Sequence, residues 1–129
     1  MSGRALCLGN AAIRLAYGVA VLVAPSRPAF VRLPLAPDTE KYPEWRLFVR
    51  GFAAHQLGVG LLGLIGTANP DLRRAGMLLA AATDASDIAA AAIEAGSRQR
   101  LDPDLSGGIL FSSAGLLSAA LALRADGDA

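Results

Sequence analysis

The chain has 129 residues, 53% of them hydrophobic and only 18% charged, with a formal net charge of +1. An ordinary soluble domain carries about 25% charged residues. Near-neutral charge and the lack of a basic stripe with interleaved aromatics exclude a nucleic-acid partner, and the single Cys7 excludes an internal disulfide and a cysteine-rich metal site.

The length fits one domain, residues 1–129. The charge deficit is uneven: 105–123 holds no charged residue, and 51–70 none besides His55. Apolar runs of about 20 residues are what a helix needs to cross a hydrocarbon core of roughly 30 Å. The expectation is an all-α bundle of four transmembrane helices running up-down-up-down, a multi-pass protein of the cell membrane with the lipid bilayer as its main partner.

The first helix is expected over about 5–24, interrupted by Asn10 and Arg14 and ended by Pro25 and Pro28. Arg14 breaks the apolar region a signal peptide would need, and no Ala-x-Ala site follows, so this segment reads as a retained span. Residues 25–44 hold five of the seven prolines and read as the one long loop, with Phe30, Val31 and Leu33 lying back on the membrane surface. The second helix is expected over about 45–66, with Tyr42 and Trp45 at the interface. The breaker-rich turn Thr67-Ala-Asn-Pro-Asp makes the second and third helices an antiparallel hairpin. The third helix is expected over about 72–95, with Gly96 as its C-cap, and the fourth over about 105–123, before a frayed tail from Arg124.

The soluble alternative requires a polar face repeating every 3.6 residues. The fourth helix offers only serines for one, and the second shows no continuous polar face after Gln56. These two helices therefore carry the membrane reading. The third is the weakest span, because Asp84 and Asp87 stand near its middle. Orientation is undecided, since arginine and lysine divide almost evenly between the two sides.

Small residues crowd the second helix (Gly51, Gly58, Gly60, Gly63, Gly66) and recur in the fourth. In lipid they let backbones approach. Packing within one bundle is the simpler use, and a homo-oligomer through the Gly-rich second helix is the other. Gly58-x-Gly60-x-x-Gly63 matches a dinucleotide fingerprint formally, but no strand precedes it, and no cofactor is expected.

Ionisable residues inside a span are costly and face the bundle interior. Arg50 lies as far before Gly66 as Asp87 lies after Leu72, to within a residue, and His55 and Asp84 match in the same way. At about 1.5 Å per residue each pair is level in depth. Arg14 falls at the His55–Asp84 level, and Ser112 near it. Asp84 and Asp87, spaced i, i+3, share a face, and Asn10, Arg14 and Tyr17 form a stripe. This predicts one buried cluster: Arg14, Arg50, His55, Asp84 and Asp87, edged by Asn10, Tyr17, Gln56, Thr83 and Ser112. Two arginines would offset two aspartates.

Two uses of the cluster stand open. It could fix which helices are neighbours, or form a polar pocket for a lipophilic small molecule. In the second case Asp84, Asp87 and His55 are the candidate acid–base residues of a membrane enzyme of isomerase, cyclase or epoxide-opening type. One histidine makes no metal site. Whether the chain is an enzyme is left open.

Residues 46–60, Arg-Leu-Phe-Val-Arg-Gly-Phe-Ala-Ala-His-Gln-Leu-Gly-Val-Gly, resemble a second-helix pattern, Arg-Gly-x-Gly-x-Arg-Asp-x-x-x-Gly, of uncharacterised small four-helix membrane proteins of high-GC bacteria, a domain of unknown function. Arg50, Gly51 and Gly60 agree with it. Ala53 replaces a glycine, and His55-Gln56 stands where that family tends to have Arg-Asp. The resemblance implies a bacterial four-helix membrane architecture and no reaction.

Overall fold

The computed structural model describes residues 2–24, 43, 46–99 and 103–127, and these residues form four helices. They are α1 (Gly3–Val23), α2 (Arg46–Gly66), α3 (Pro70–Arg98) and α4 (Pro103–Gly127). The expected 25–44 loop (Pro43 apart) and the interfacial Tyr42 and Trp45 lie outside the described residues.

The helix ends follow from local chemistry. The Ser2 side chain accepts a hydrogen bond from the Ala5 amide at 3.3 Å, capping α1. Asn69 accepts from the amides of Asp71 and Leu72 at 3.0 and 3.1 Å, with Pro70 in the first turn, where its missing N–H costs nothing. Helix α3 therefore starts two residues earlier than expected. It also runs through Gly96, the expected C-cap, and stops at Gln99, whose φ of 53° is left-handed. The Glu94–Arg98 ion pair at 2.5 Å, spaced i, i+4, supports that last turn. Helix α4 continues past Leu123 through Arg124 to Gly127, correcting the frayed tail. The cause is tertiary: Asp126 accepts from the Arg73 guanidinium at 2.6 Å.

Among the described residues three helices, α1, α3 and α4 (from Ser106), are long and apolar enough to cross a membrane, and residues 49–66 of α2 are not. The third helix, expected as the weakest span, is thus a candidate, while residues 49–66 of the second, expected as a strong one, are not. Arg50, His55 and Gln56, together with five near-neutral glycines, dilute the apolar content of α2. Helix α3 is long enough to hold an apolar stretch despite its aspartates.

The helices form a ring in which α1 packs on α2, α2 on α3, α3 on α4 and α4 on α1. An apolar layer lies toward one end, built from Cys7, Val59, Met77, Ala80, Ala119 and Ala122. Cys7 is a filler whose thiol donates to the Gly63 carbonyl at 3.2 Å. A second layer, Val21, Val49 and Ala53 with Tyr17, Ala20 and Phe52, lies toward the other end. Small residues set the spacing. A Cβ at Gly60 would stand 3.2 Å from the Ala11 carbonyl oxygen, and one at Gly66 only 2.6 Å from the Arg73 Cα. Around Gly51 and Gly58, by contrast, a Cβ would meet nothing within 4 Å.

The surface carries many large apolar side chains, and among the described residues one ion pair is buried. Leu47, Val23, Ile93 and Leu110 are 81%, 75%, 74% and 72% exposed, while Asn10, Arg14, Gln56, Asp84 and Ser112 are buried. Scattered exposed leucines are ordinary. Apolar residues lie on the outside of every helix, with the Arg14 and Asp84 charges inside and Arg4, Arg46, Arg50, Asp71, Arg74, Arg98 and Arg124 exposed.

Candidate functional site

Between the two apolar layers lies a polar network centred on Arg14. Its guanidinium is buried, and four acceptors surround it. Nε donates to Asn10 Oδ1 at 2.9 Å, one helical turn back. Nη1 donates to Gln56 Oε1 of α2 at 2.6 Å. Nη2 reaches Asp84 Oδ2 of α3 at 2.5 Å and the Ala80 carbonyl at 3.3 Å. Asn10 passes the network to α4, donating to Ser118 Oγ at 2.7 Å and to the Gly115 carbonyl at 3.5 Å. All four helices thus meet in one set of hydrogen bonds. Among the described residues no buried side-chain nitrogen or oxygen lacks a partner, which makes the burial of an ion pair tolerable.

The carboxylate also governs the spacing of α3 and α4. A Cβ at Gly115 would collide with the Asp84 carboxylate. Only glycine leaves room there.

The structure brings together Arg14, Asp84, Asn10 and Gln56 of the predicted cluster. Ser112 is buried on α4, one turn from Gly115. Arg50 does not join: it is exposed, and the expected balance of two arginines against two aspartates is corrected to one pair, Arg14 with Asp84. Depth was right and direction wrong. At about 100° per residue, Arg50 sits roughly a third of a turn around α2 from the inward Gln56. His55, next to Gln56, is likewise exposed, at the α2–α3 edge, with Nε2 at 3.4 Å from Thr83 Oγ1. Ser118 and Gly115 were missed. They fall on the inward stripe of α4 that includes Ser112, Ala119 and Ala122, and the i, i+3, i+7 spacing of small residues was the available signal.

Asp87 stands apart. It is half-buried and, among the described residues, makes no ion pair and no hydrogen bond. Asp84, Arg14 and His55 are near enough to act on it electrostatically, as Asp87 is on Tyr17. The Tyr17 ring meets Phe52 of α2 edge-on at 6.4 Å and Phe111 of α4 at 5.4 Å. Beside the satisfied network there is thus a carboxylate without a bonded partner, within electrostatic range of Tyr17, whose ring in turn touches Phe52 and Phe111.

The fold and site define a helical bundle with an apolar exterior and a polar middle layer. No protein-family model, curated protein or solved structure matches the chain.

Proposed function

We propose that this chain is a multi-pass integral protein of a bacterial cell membrane, in which the Arg14 network fixes the helix arrangement and the adjacent Asp87 face takes a lipophilic small molecule. Four spans running up-down-up-down fit the contacts. Residues 7, 14 and 17 of α1 meet 63, 56 and 52 of α2, and residues 66, 63 and 55 of α2 meet 73, 76 and 83 of α3. Numbers rise along one helix as they fall along its neighbour. Helix α2 spans as part of the bundle, its polar Gln56 satisfied by Arg14.

The observation that carries this reading is a hydrogen-bonded Arg14–Asp84 pair at mid-depth inside a bundle with many large apolar side chains on its outside. The test is fractionation. The chain is expected in the membrane pellet, resisting alkaline carbonate and released by detergent. Recovery in the supernatant without detergent overturns the reading.

Acid–base catalysis on a hydrophobic substrate is the second reading, favoured by Asp87 near His55 with no cation bonded to it. Asp84, held by Arg14, is poorly placed to exchange a proton, so the chemistry would fall to Asp87 and His55. Loss of turnover of a lipophilic epoxide or isomerisable substrate in both Asp87→Asn and His55→Ala would distinguish an enzyme from a binding protein. A homo-oligomer through α2 would use the outward Gly51 and Gly58, because Gly60, Gly63 and Gly66 are taken up inside the bundle.

A further inference from the structure

The ligand-binding face proposed above has a chemistry that narrows what it can hold. Its charge is negative. Arg14 is committed to Asp84, and Asp87 is a half-buried carboxylate with neither an ion pair nor a hydrogen bond among the described residues. The other titratable or charged groups near it are Tyr17 and Arg14 on α1, His55 on α2 and Asp84 on α3. Arg50 lies level with it but on the exposed side of α2.

Its walls are aromatic. Asp87 lies one turn beyond Asp84 on α3, as Tyr17 lies one turn beyond Arg14 on α1, so the two share a layer; the Tyr17 ring contacts Phe52 and Phe111, and α1, α2 and α4 each contribute a ring to that cluster. Ring faces carry negative quadrupole potential and attract cations, most strongly where water is excluded. Tyr17 and Phe52 are half-buried and Phe111 is 47% exposed, so the group is reachable from outside the bundle.

A hydrated metal ion would need several oxygen ligands, and this site offers one carboxylate. A neutral apolar ligand would leave that carboxylate unpaired in a poorly solvated place. Resting on the membrane-protein reading above, we infer that Asp87, with Tyr17, Phe52 and Phe111, forms a binding site for a lipophilic organic cation, an ammonium or phosphonium centre carrying apolar groups. Asp87 supplies the counter-charge and the rings supply cation–π and apolar contact. His55, at the edge of the site, bonds to Thr83.

The test is equilibrium binding of tetraphenylphosphonium to the full chain in lipid nanodiscs, with empty nanodiscs subtracted. Triphenylphosphine oxide serves as a neutral analogue of similar bulk. Saturable binding of the cation and little of the oxide is expected. Asp87→Asn should weaken cation binding at least about tenfold, the scale of losing one partner of a desolvated charge pair. Glu94→Gln, which removes a carboxylate already paired with Arg98, should leave it unchanged. Phe111→Leu tests the rings independently of the charge and at an exposed position, and should weaken binding severalfold. Wild-type protein that is helical and monodisperse in nanodiscs yet binds no cation overturns the inference while leaving the membrane reading intact. Equal binding by Asp87→Asn, or equal retention of the neutral oxide, overturns it too. Failure of the membrane reading is separately visible, as protein in the soluble fraction.

Discussion

At the residue scale, the consequences concentrate on Arg14, because four acceptors depend on it. Arg14→Ala strands Asp84 as a buried carboxylate with no cation, and breaking a buried pair on one side costs about 3–5 kcal/mol. The double variant Arg14→Met/Asp84→Leu removes both charges and should cost markedly less than the single one. Unfolding by SDS titration from mixed micelles, followed by circular dichroism, measures both. A less severe single variant than double variant would contradict the pairing. Gly115→Ala should also destabilise, by about 1–3 kcal/mol as overpacking does, because the Asp84 carboxylate it would strike is tied to Arg14. Gly107→Ala, where a Cβ meets nothing within 4 Å, is its control and should be close to neutral.

How far these residues were legible follows from the geometry of a helix. Level depth is a count along the chain, and it placed Arg14 opposite Asp84. Azimuth depends on which side of each helix the neighbours occupy. Gln56 and His55 are adjacent and about 100° apart, so only one can face the centre squarely. Gln56 does, and the residue assigned to the edge became an anchor while His55 moved outward.

At the element scale, α2 differs from the others. Three helices are apolar and long enough to span alone, while α2 carries exposed Arg50 and His55 and a buried Gln56. Gln56 and His55 are compensated by neighbours, through Arg14 and Thr83. In a translocon-insertion reporter the isolated α2 segment should therefore insert less efficiently than the α4 segment, and His55→Leu/Gln56→Leu should raise its insertion, since polar residues near a span centre oppose partitioning. Insertion of unmodified α2 as efficient as that of α4 would refute this dependence. The α2–α3 hairpin adds a second contrast. Gly66→Ala forces a Cβ against the Arg73 backbone, which cannot swing aside as a side chain can, so it should destabilise more than Gly51→Ala in the same SDS titration.

At the scale of the whole molecule, the end contacts tie the chain termini together. A Cβ at Gly3 would collide with the Asp126 side chain, and Asp126 bridges to Arg73 beside the α2–α3 turn. The start of α1, the end of α4 and that turn share one end of the bundle. If the bundle spans the membrane, residues 3 and 126 lie on the same side. Reporter fusions or cysteine labelling at the two termini should give the same accessibility, and opposite accessibility would rule out four spans.

The sequence by itself determined that the chain is helical, roughly where each helix lies, that its apolar content exceeds what water requires, and that Arg14 and Asp84 stand at one depth. Those properties are one-dimensional: hydropathy, breakers, caps and residue counts accumulate along the chain. The apolar stretch that makes α3 a candidate span lies between Arg74 and Glu94, inside the helix expected over 72–95, so it too lay in the sequence. Only the tertiary structure decided which polar residues face inward, that one arginine rather than two is buried, that Gly115 and Ser118 complete the network, and that Asp87 is left without a bonded cation. Burial of the Arg14 charge is set by acceptors on its own helix and on two others, and no single segment carries that information.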